Sequence, residues 1–205
     1  IAGSVVIFDE AQMIPMGHMK PCVGVISNLV AHFHATAVLC TATQPVLSDL
    51  VTSFVPNLQA RELCPNLQSH GDVFRRVTYR DGGSLTHQEL AEQLKEHSQV
   101  LCILNTRKAA QRVFALMTEE GSFHLSTLMY PAHRKAVLRE VADRLAKGLP
   151  CRVVSTSLVE AGVDMDFPCV YREMAGLDSL AQAAGRCNRN GKRLAEESVV
   201  TYFRG

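Results

Sequence analysis

The sequence predicts an α/β fold in which parallel β-strands are covered by helices. Short apolar runs recur along the chain, and each ends abruptly in polar residues. The segments between these runs carry apolar residues at steps of three and four, the spacing of a helix with one buried face. Residues 1–48 contain only Asp9, Glu10 and Lys20 as charged residues. Such a stretch is expected to be buried on both sides, as in a parallel sheet between helices.

Four of the apolar runs are predicted to be strands, and all of them end in polar tips. The runs are Val5–Phe8, Ala37–Cys40, Val100–Leu104 and the residues around Val153–Val154. The tips that follow them are Asp9-Glu10, Thr41-Ala42-Thr43, Asn105-Thr106 and Ser155-Thr156-Ser157. In open α/β sheets, ligands bind beyond the carboxyl ends of the strands. The tips therefore predict a binding site built along a sheet edge.

Helices are predicted between the strands. The apolar spacing indicates them from Met19 to Phe33, around Leu90 and Leu94, and from Ala110 to Met117. Pro131 followed by residues 132–147 predicts a further helix, with proline at its start and Gly148 after its end. Strands that alternate with helices are typical of βαβ units.

A domain boundary is expected near residue 72. Residues 54–86 contain Pro56, Pro65 and Gly71, and an Asp81-Gly82-Gly83 sequence predicts a turn. We place the first domain at residues 1–72 and the second at residues 73–205. Val77-Thr78-Tyr79 is predicted to be the first strand of the second domain.

Composition narrows the class of protein. The chain has 205 residues, 47% of them hydrophobic, and a formal net charge of +1. No apolar run reaches the roughly 20 residues that a membrane span needs, and no secretory signal is recognisable, so we expect no membrane partner. The seven cysteines lack close pairs, which disfavours a zinc site and favours small buried side chains in a reduced cytoplasm. The start at Ile1, just before an apolar strand, suggests a fragment.

The Asp9-Glu10 pair at the end of the first strand suggests phosphoryl chemistry. An aspartate at this position can hold Mg²⁺, and the adjacent glutamate can orient and deprotonate an attacking water. A helix N-cap followed by an acidic first turn is the alternative.

Two hydroxyl-rich tips are less specific. Thr41 and Thr43 can relay between a nucleotide site and a nucleic-acid site, or they can be a β-branched strand end. Residues 155–164 combine hydroxyl groups that can bind phosphate with Gly162, which permits close backbone approach, and Asp164, which can accept from a ribose hydroxyl. A strand, helix and loop with glycine as the cap is the alternative for this stretch.

The segment 182–191 is more specific. Gln182, Arg186 and Arg189 are four and three residues apart, so on a helix they would share one face. Arginine guanidinium groups pair with phosphate oxygens and stabilise charge in phosphoryl transfer. A solvated basic helix end closed by the Asn190-Gly191 turn is the alternative.

The ordered motifs resemble those of superfamily 2 helicases. Motifs II to VI would be Asp9–Gln12, Thr41–Thr43, Leu104–Arg107, Ser155–Asp164 and Gln182–Arg189. Within that superfamily, Tyr130–Arg134 and Ala184–Arg189 are similar to the type I CRISPR-associated helicase–nuclease. The resemblance implies two RecA-like parallel-sheet domains of the P-loop NTPase fold, the first one truncated. It also implies ATP and Mg²⁺ as cofactors, and single-stranded DNA and an RNA-guided CRISPR surveillance complex as partners.

The resemblance assigns roles to individual residues. Asp9 matches the Mg²⁺ residue and Glu10 the general base of ATP hydrolysis. The nucleotide-sensing residues would be Gln182, Arg186 and Arg189, with Gly162 and Asp164 near the nucleotide; Arg189 is the expected arginine finger. The coupling residues would be Thr41 and Thr43. The contacts to a DNA strand would be Thr106, Arg107, Thr156, His133 and Arg134, supported by a basic track of Arg107, Lys108 and Arg112 and of Arg134, Lys135 and Arg139.

Two features depart from the family pattern. No Gly-Lys-Ser/Thr sequence occurs, since Gly191-Lys192 is followed by Arg193, and no His-Asp dipeptide occurs either. In the family the P-loop and the nuclease domain precede motif II, so this chain alone is expected not to hydrolyse ATP or cleave DNA. A non-catalytic module that binds single strands or a partner protein, and another superfamily 2 DNA or RNA helicase, remain the alternatives.

Overall fold

The computed structural model describes residues 1–11, 14–41, 48–64, 75–159 and 164–205, with the side chains of Met16 and residues 48–50 left aside. The chain divides into two compact units, Ile1–His70 and Gly71–Gly205. The boundary predicted near residue 72 falls outside the described residues.

The described residues of the first unit form two parallel strands and two helices. Strand β1 (Val5–Phe8) is followed by helix α1 (Met16–Phe33), strand β2 (Thr36–Leu39) and helix α2 (Ser48–Phe54). The two strands pair in register from Val5 and Thr36 to Phe8 and Leu39. Helix α1 ends at His34, whose left-handed φ of 52° turns the chain into β2.

Burial of the first unit's strands on both sides is contradicted by the structure. Val5 is 65% exposed and Ile7 is 66% exposed, so one face of β1 is open within this chain. The low charge of residues 1–48 identified apolar strands and a helix correctly. It did not determine whether this chain also supplies the residues that cover them.

The second unit is a six-stranded parallel sheet between helices. Its elements in chain order are β3 (Thr78–Ser84), α3 (His87–Lys95), β4 (Gln99–Ile103), α4 (Arg107–Ala115), β5 (Ser122–Leu125), α5 (Pro131–Ala146), β6 (Cys151–Ser155), β7 (Cys169–Glu173), α6 (Leu177–Ala184) and β8 (Val199–Arg204). The strand order across the sheet is β3-β8-β7-β4-β6-β5. The predicted alternation of strands and helices is confirmed.

The two faces of this sheet carry separate apolar cores because successive side chains of a strand point to opposite faces. Leu101 and Ile103 of β4 pack with Val141 of α5 and Ala183 of α6, which form the α5/α6 face. The intervening β4 residues contribute to the α3/α4 face together with Leu90, Leu94, Ala110 and Val113. The helices therefore cover both faces of the sheet.

The predicted turn at Asp81–Gly83 is wrong, because these residues lie inside β3. The pairing of β3 with β8 slips between Asp81 and Ser84. A carboxylate oxygen of Asp81 accepts the N–H of Gly83 at 2.8 Å, and Gly83 has a φ of +69°. The turn chemistry thus produces a bulge in an edge strand instead of a chain reversal.

The cysteines are free throughout, and only four of the seven are buried: Cys102, Cys151, Cys169 and Cys187. Burial raises the pKa of Cys151 to about 11 and that of Cys187 to about 12, so these thiols stay protonated at neutral pH. The expectation that all seven are small core residues is wrong for the exposed Cys40 and Cys64. Among the described helices, none combines the length and apolar character that crossing a bilayer requires.

Candidate functional site

At the carboxyl edge of the second unit's sheet, the residues predicted to bind single-stranded DNA follow three neighbouring β-strands. Ile103 of β4 pairs with Ser155 of β6, and Ser155 pairs with Leu125 of β5. Adjacent strands lie about 4.8 Å apart, so the three tips form a short row. The row contains Thr106 and Arg107 after β4, Thr156 after β6, and His133 and Arg134 shortly after β5.

The first position in the row is the start of helix α4. The Thr106 hydroxyl oxygen accepts the N–H of Ala109 at 3.1 Å and caps the helix. This bond uses the oxygen as an acceptor, so the hydroxyl hydrogen can still be donated to a phosphate. Arg107 follows at the first helical position, and both side chains are exposed. The tip of β4 is therefore suited to hold a phosphate with one neutral and one charged donor.

The tip of β6 is less open than its sequence suggests. Ser155 is fully buried, and its hydroxyl donates to the carbonyl of Leu125 at 3.0 Å. Thr156 is only 7% exposed. Part of the hydroxyl-rich stretch that predicts phosphate contacts therefore forms a hydrogen bond between β6 and β5 instead. Thr156 offers little surface to a strand of DNA.

The third position is the start of helix α5. Tyr130 precedes the helix in an extended conformation, with Pro131 at the first helical position. His133 is exposed and Arg134 is half-buried. The predicted helix from Pro131 is confirmed, and it begins at the same sheet edge as Arg107.

The predicted basic track divides at the sheet. Lys108 and Arg112 belong to α4, which packs on the α3/α4 face, whereas Lys135 and Arg139 belong to α5 on the opposite face. A continuous track is therefore wrong, and only the first turns of the two helices share the edge. Within the described part of the chain, no acidic side chain forms an ion pair with the basic residues of either group.

Asn105 supports this edge and was not among the predicted site residues. Its backbone N–H donates to the Glu173 carboxylate at 2.7 Å, and its side-chain oxygen accepts from the buried Arg172 at 2.7 Å. Its side-chain amide also donates to the carbonyl of Met174 at 2.8 Å. These contacts tie the tip of β4 to the tip of β7 and so position Thr106. The sequence signal was an asparagine directly after a buried strand, beside the predicted Thr106.

The shared helix face predicted for Gln182, Arg186 and Arg189 is wrong, because helix α6 ends at Ala184. Beyond Gly185, the chain leaves the helix and pairs with the residues that precede β7. The Arg186 carbonyl accepts the N–H of Phe167 at 2.9 Å, and the N–H of Asn188 donates to the Phe167 carbonyl at 2.9 Å. Tertiary pairing thus overrides a helical pattern that the sequence alone favours.

The structure still brings Arg189 to Asp164. The Arg189 Nε donates to Asp164 at 2.8 Å, and its backbone N–H donates to Asp166 at 2.8 Å. The Arg186 Nε instead donates to the carbonyl of Val159 at 3.0 Å, and Arg186 is 7% exposed. Asp164 is expected to accept from a ribose hydroxyl, and Arg189 is expected to be the arginine finger. In this structure the two side chains form an ion pair with each other. Gly162 lies outside the described residues, and Gln182 is half-buried on α6.

A cavity of about 570 Å³ lies beside Arg189. Gly185, Cys187 and Asn190 line it from the segment after α6, and Arg76 lines it from the residues before β3. The two arginines in its lining suit an anionic group.

In the first unit, the Asp9-Glu10 pair lies at the end of β1. The Asp9 carboxylate accepts the N–H of Glu10 at 3.0 Å, and both side chains are exposed. Glu10 has a φ of 54°, which is uncommon for a residue with a side chain and is found at functional sites. The N–H of Ala11 donates to the Cys40 carbonyl at 3.0 Å, so the tip of β2 with Thr41 lies next to this pair. Thr43 lies outside the described residues.

The described residues contain no group of three or more histidine, cysteine or acidic side chains placed to hold a metal ion. A magnesium site does not require one, because Mg²⁺ is commonly held by one or two carboxylates together with water and substrate phosphates. The exposed carboxylate of Asp9 at a strand end fits that ligand set.

Comparison with known proteins agrees with these features. A model of the family described as CRISPR-associated nuclease/helicase Cas3, C-terminal, matches residues 96–192. The CRISPR-associated nuclease/helicase Cas3 of Haloferax volcanii is 45% identical over 62 residues, which are 30% of this chain and 7% of that protein. The ATP-dependent helicase Lhr-Core protein 2 of Thermococcus barophilus is 32% identical over 130 residues, 60% of this chain and 15% of that protein. The chain thus spans a small part of the length of these relatives.

Solved structures show the same fold. The crystal structure of T. fusca Cas3 with ATP aligns with 100% of this chain, with a TM-score of 0.73 and 18% identity. The aligned part is 30% of the T. fusca Cas3 chain. A chain of a CRISPR RNA-guided surveillance complex in a pre-nicking state covers 98% of this chain and 31% of its own, with a TM-score of 0.70 and 18% identity. The Mycobacterium smegmatis helicase Lhr bound to single-stranded DNA and AMP-PNP covers 98% of this chain and 28% of its own, with a TM-score of 0.61 and 14% identity.

The predicted RecA-like α/β fold is confirmed by these likenesses, and the family match falls on the second unit, where the row of polar strand tips lies. The ordered motifs, the family match and the fold agree with one another. The chain is therefore similar to the helicase segment of Cas3-type proteins, with the family match confined to residues 96–192.

Proposed function

We propose that this chain is part of an ATP-dependent translocase that moves along single-stranded DNA and unwinds target DNA in CRISPR interference. The observation that carries the proposal is the row at the carboxyl edge of the second unit's sheet. Thr106 and Arg107 lie there at the tip of β4, and His133 and Arg134 lie beyond the tip of β5 on the other side of β6, where they present hydroxyl and cationic donors. Donors of this kind recognise phosphate oxygens, which every nucleotide carries.

Such contacts suit a protein that moves along DNA rather than one that recognises a specific base sequence. Phosphate contacts fix the register of a strand without reading its bases, so the grip can be released and remade one step along. Arg107 and Arg134 supply the charge, and Asn105 holds the first tip in place. The strand contact is expected to weaken with salt because bound cations displace counterions from the phosphates.

The roles in nucleotide chemistry are proposed residue by residue, from the resemblance to superfamily 2 helicases. Asp9 would hold Mg²⁺, and Mg²⁺ would neutralise charge on the phosphates of ATP. Glu10 would orient and deprotonate the attacking water, and its left-handed backbone conformation supports a functional role. Arg189 would stabilise the developing charge after leaving Asp164, and Arg186 would assist it; Thr41 and Thr43 would couple this site to the strand.

The partner and the compartment follow from the same proposal. The likeness to a chain of an RNA-guided surveillance complex supports such a complex as the partner. Seven free cysteines support a reducing compartment, and we place the protein in the cytoplasm.

A second candidate is a superfamily 2 helicase of the Lhr type. Lhr-Core protein 2 of Thermococcus barophilus matches 60% of this chain, more than the 30% matched by the Cas3 of Haloferax volcanii. The fold and the row of polar strand tips are compatible with both candidates. A nuclease segment ahead of motif II in the gene would exclude the Lhr alternative.

The proposed contact between the row of strand tips and single-stranded DNA is tested by removing the two arginine charges of the row. The double substitution Arg107→Gln and Arg134→Gln is expected to weaken binding to a labelled oligothymidine strand. It is also expected to reduce the slope of log K against log salt by about 1.4, at roughly 0.7 for each phosphate of a single strand that is no longer neutralised. The measurement is a salt titration of binding by fluorescence anisotropy.

Lys147→Gln is the matched control, because Lys147 is exposed at the far end of helix α5 and pairs with Asp143 at 2.8 Å. Its slope is expected to equal that of the unchanged chain. An equal reduction of slope in Lys147→Gln and in the double variant would mean that the edge is not the strand site.

A further inference from the structure

The loop between β5 and α5 presents two large apolar side chains to solvent. Leu128 is 63% exposed and Tyr130 is 66% exposed. They follow the tip of β5, next to Thr156 at the tip of β6, whose N–H donates to the Leu125 carbonyl at 3.4 Å. Leu128 and Tyr130 therefore add exposed apolar surface directly beside the polar row.

The backbone holds this loop in one conformation. The N–H of Met129 donates to the Ser126 carbonyl at 3.2 Å, and the Met129 side chain packs against the core on the α5/α6 face. Pro131 restricts the residue before it to extended conformations, and Tyr130 has a φ of −66° and a ψ of 149°. The backbone that carries the Tyr130 ring therefore has little conformational entropy left to lose on binding.

The surroundings of Tyr130 are aromatic and cationic. Its ring centroid lies 5.4 Å from that of His133, with the planes tilted by 39°. Residues 126–139 include Arg134, Lys135 and Arg139 and contain no acidic residue. A planar ring that is open to solvent, with three basic residues in the first turns of the helix that follows it, is complementary to a ligand with flat groups on an anionic backbone. A single-stranded nucleic acid has that chemistry, and stacking on an aromatic side chain is available to every base.

We propose that Tyr130, with Leu128 beside it, is a base-stacking platform for the single strand held along the row of strand tips. The proposal rests on the proposed strand-binding function and adds a contact to the bases, which the phosphate donors do not provide. Tyr130 stacks on one base while Arg134 contacts the adjoining phosphate. The contact is independent of base identity and so is compatible with movement along any sequence.

The test compares a strand with and without bases. The full chain is titrated with oligothymidine and with an abasic deoxyribose-phosphate strand of equal length, at one salt concentration. The unchanged chain is expected to bind oligothymidine more tightly than the abasic strand. Tyr130→Ala is expected to weaken oligothymidine binding by roughly 5- to 150-fold, the range measured for removal of one base–aromatic stack, and to leave abasic binding unchanged.

Tyr130→Phe keeps the ring and is expected to retain the preference for bases. Tyr79→Ala is the matched control, because Tyr79 is also exposed but lies on the edge strand β3, away from the row. Equal effects of Tyr130→Ala on both strands, or no effect on either, would overturn the stacking proposal while leaving the phosphate row standing. If the unchanged chain binds neither strand, the proposed function itself fails.

Discussion

Gly121→Ala is expected to destabilise the second unit by about 2–5 kcal/mol, from left-handed backbone strain and from overpacking. Gly121 has a φ of +81°, and a Cβ atom placed on it would lie 2.2 Å from the carbonyl oxygen of Pro150. That oxygen belongs to the backbone and cannot turn aside. The Gly121 carbonyl also accepts the N–H of Arg152 at 2.8 Å at the start of β5. Displacement of this site would shift β5 and the loop that carries Tyr130.

Gly148→Ala separates the two causes, because Gly148 has a φ of +68° but no neighbour within 4 Å of an added Cβ. It is expected to cost only the backbone strain, about 1–2 kcal/mol. The measurement is the free energy of unfolding in urea for both variants. Equal costs at the two positions would contradict the assigned role of the Pro150 carbonyl.

Phe167→Ala is expected to cost about 3–5 kcal/mol of unfolding free energy, the usual penalty for removing a buried aromatic ring. Phe167 is fully buried in the core on the α5/α6 face. Its backbone also pairs with the Arg186–Asn188 segment, so the ring anchors the stretch that carries Arg186 and Arg189. Removal of the ring is expected to loosen that stretch as well as the core.

Two measurements check this expectation. Urea unfolding gives the stability, and amide hydrogen exchange reports on the N–H of Asn188, which is bonded to the Phe167 carbonyl. Phe167→Leu keeps most of the apolar volume and is expected to show smaller effects in both measurements. Full protection of the Asn188 amide in a destabilised Phe167→Ala variant would show that the segment is held independently of the ring.

The regular elements were predictable because burial leaves a periodic record in the sequence. The runs Val5–Phe8 and Val100–Leu104 are continuously apolar, and the helix from Pro131 carries its own start signal. Strands β5, β7 and β8 were not predicted as elements; Ser122 and His124 interrupt the apolar run of β5. Its place at the sheet edge, beside β6 only, permits this mixed composition.

The errors arose where long-range contacts decide the local structure. The spacing of Gln182, Arg186 and Arg189 fits a helix, but backbone pairing with Phe167 draws the chain out of it after Ala184. The exposure of Val5 and Ile7 depends on residues that no local pattern reveals.

The candidate site was predictable in its residue types and only partly in its geometry. The tips of β4, β6 and β5 are neighbours because of the strand order, which the sequence does not encode locally. Thr156 has the right chemistry for a phosphate contact, but it is only 7% exposed, and the neighbouring Ser155 hydroxyl is bonded to β5. Asn105 stands in the motif, yet its contacts to Arg172 and Glu173 appear only in the folded sheet.

The most direct test of the proposed phosphate contacts with single-stranded DNA is the salt dependence of oligothymidine binding by the unchanged chain. Two to four phosphates contacted by the first turns of α4 and α5 predict a slope of log K against log salt of about −1.4 to −2.8. Saturable binding with a slope in that range would agree with a row of phosphate contacts centred on Arg107 and Arg134. Binding that is absent at low salt, or that does not change with salt, would contradict it.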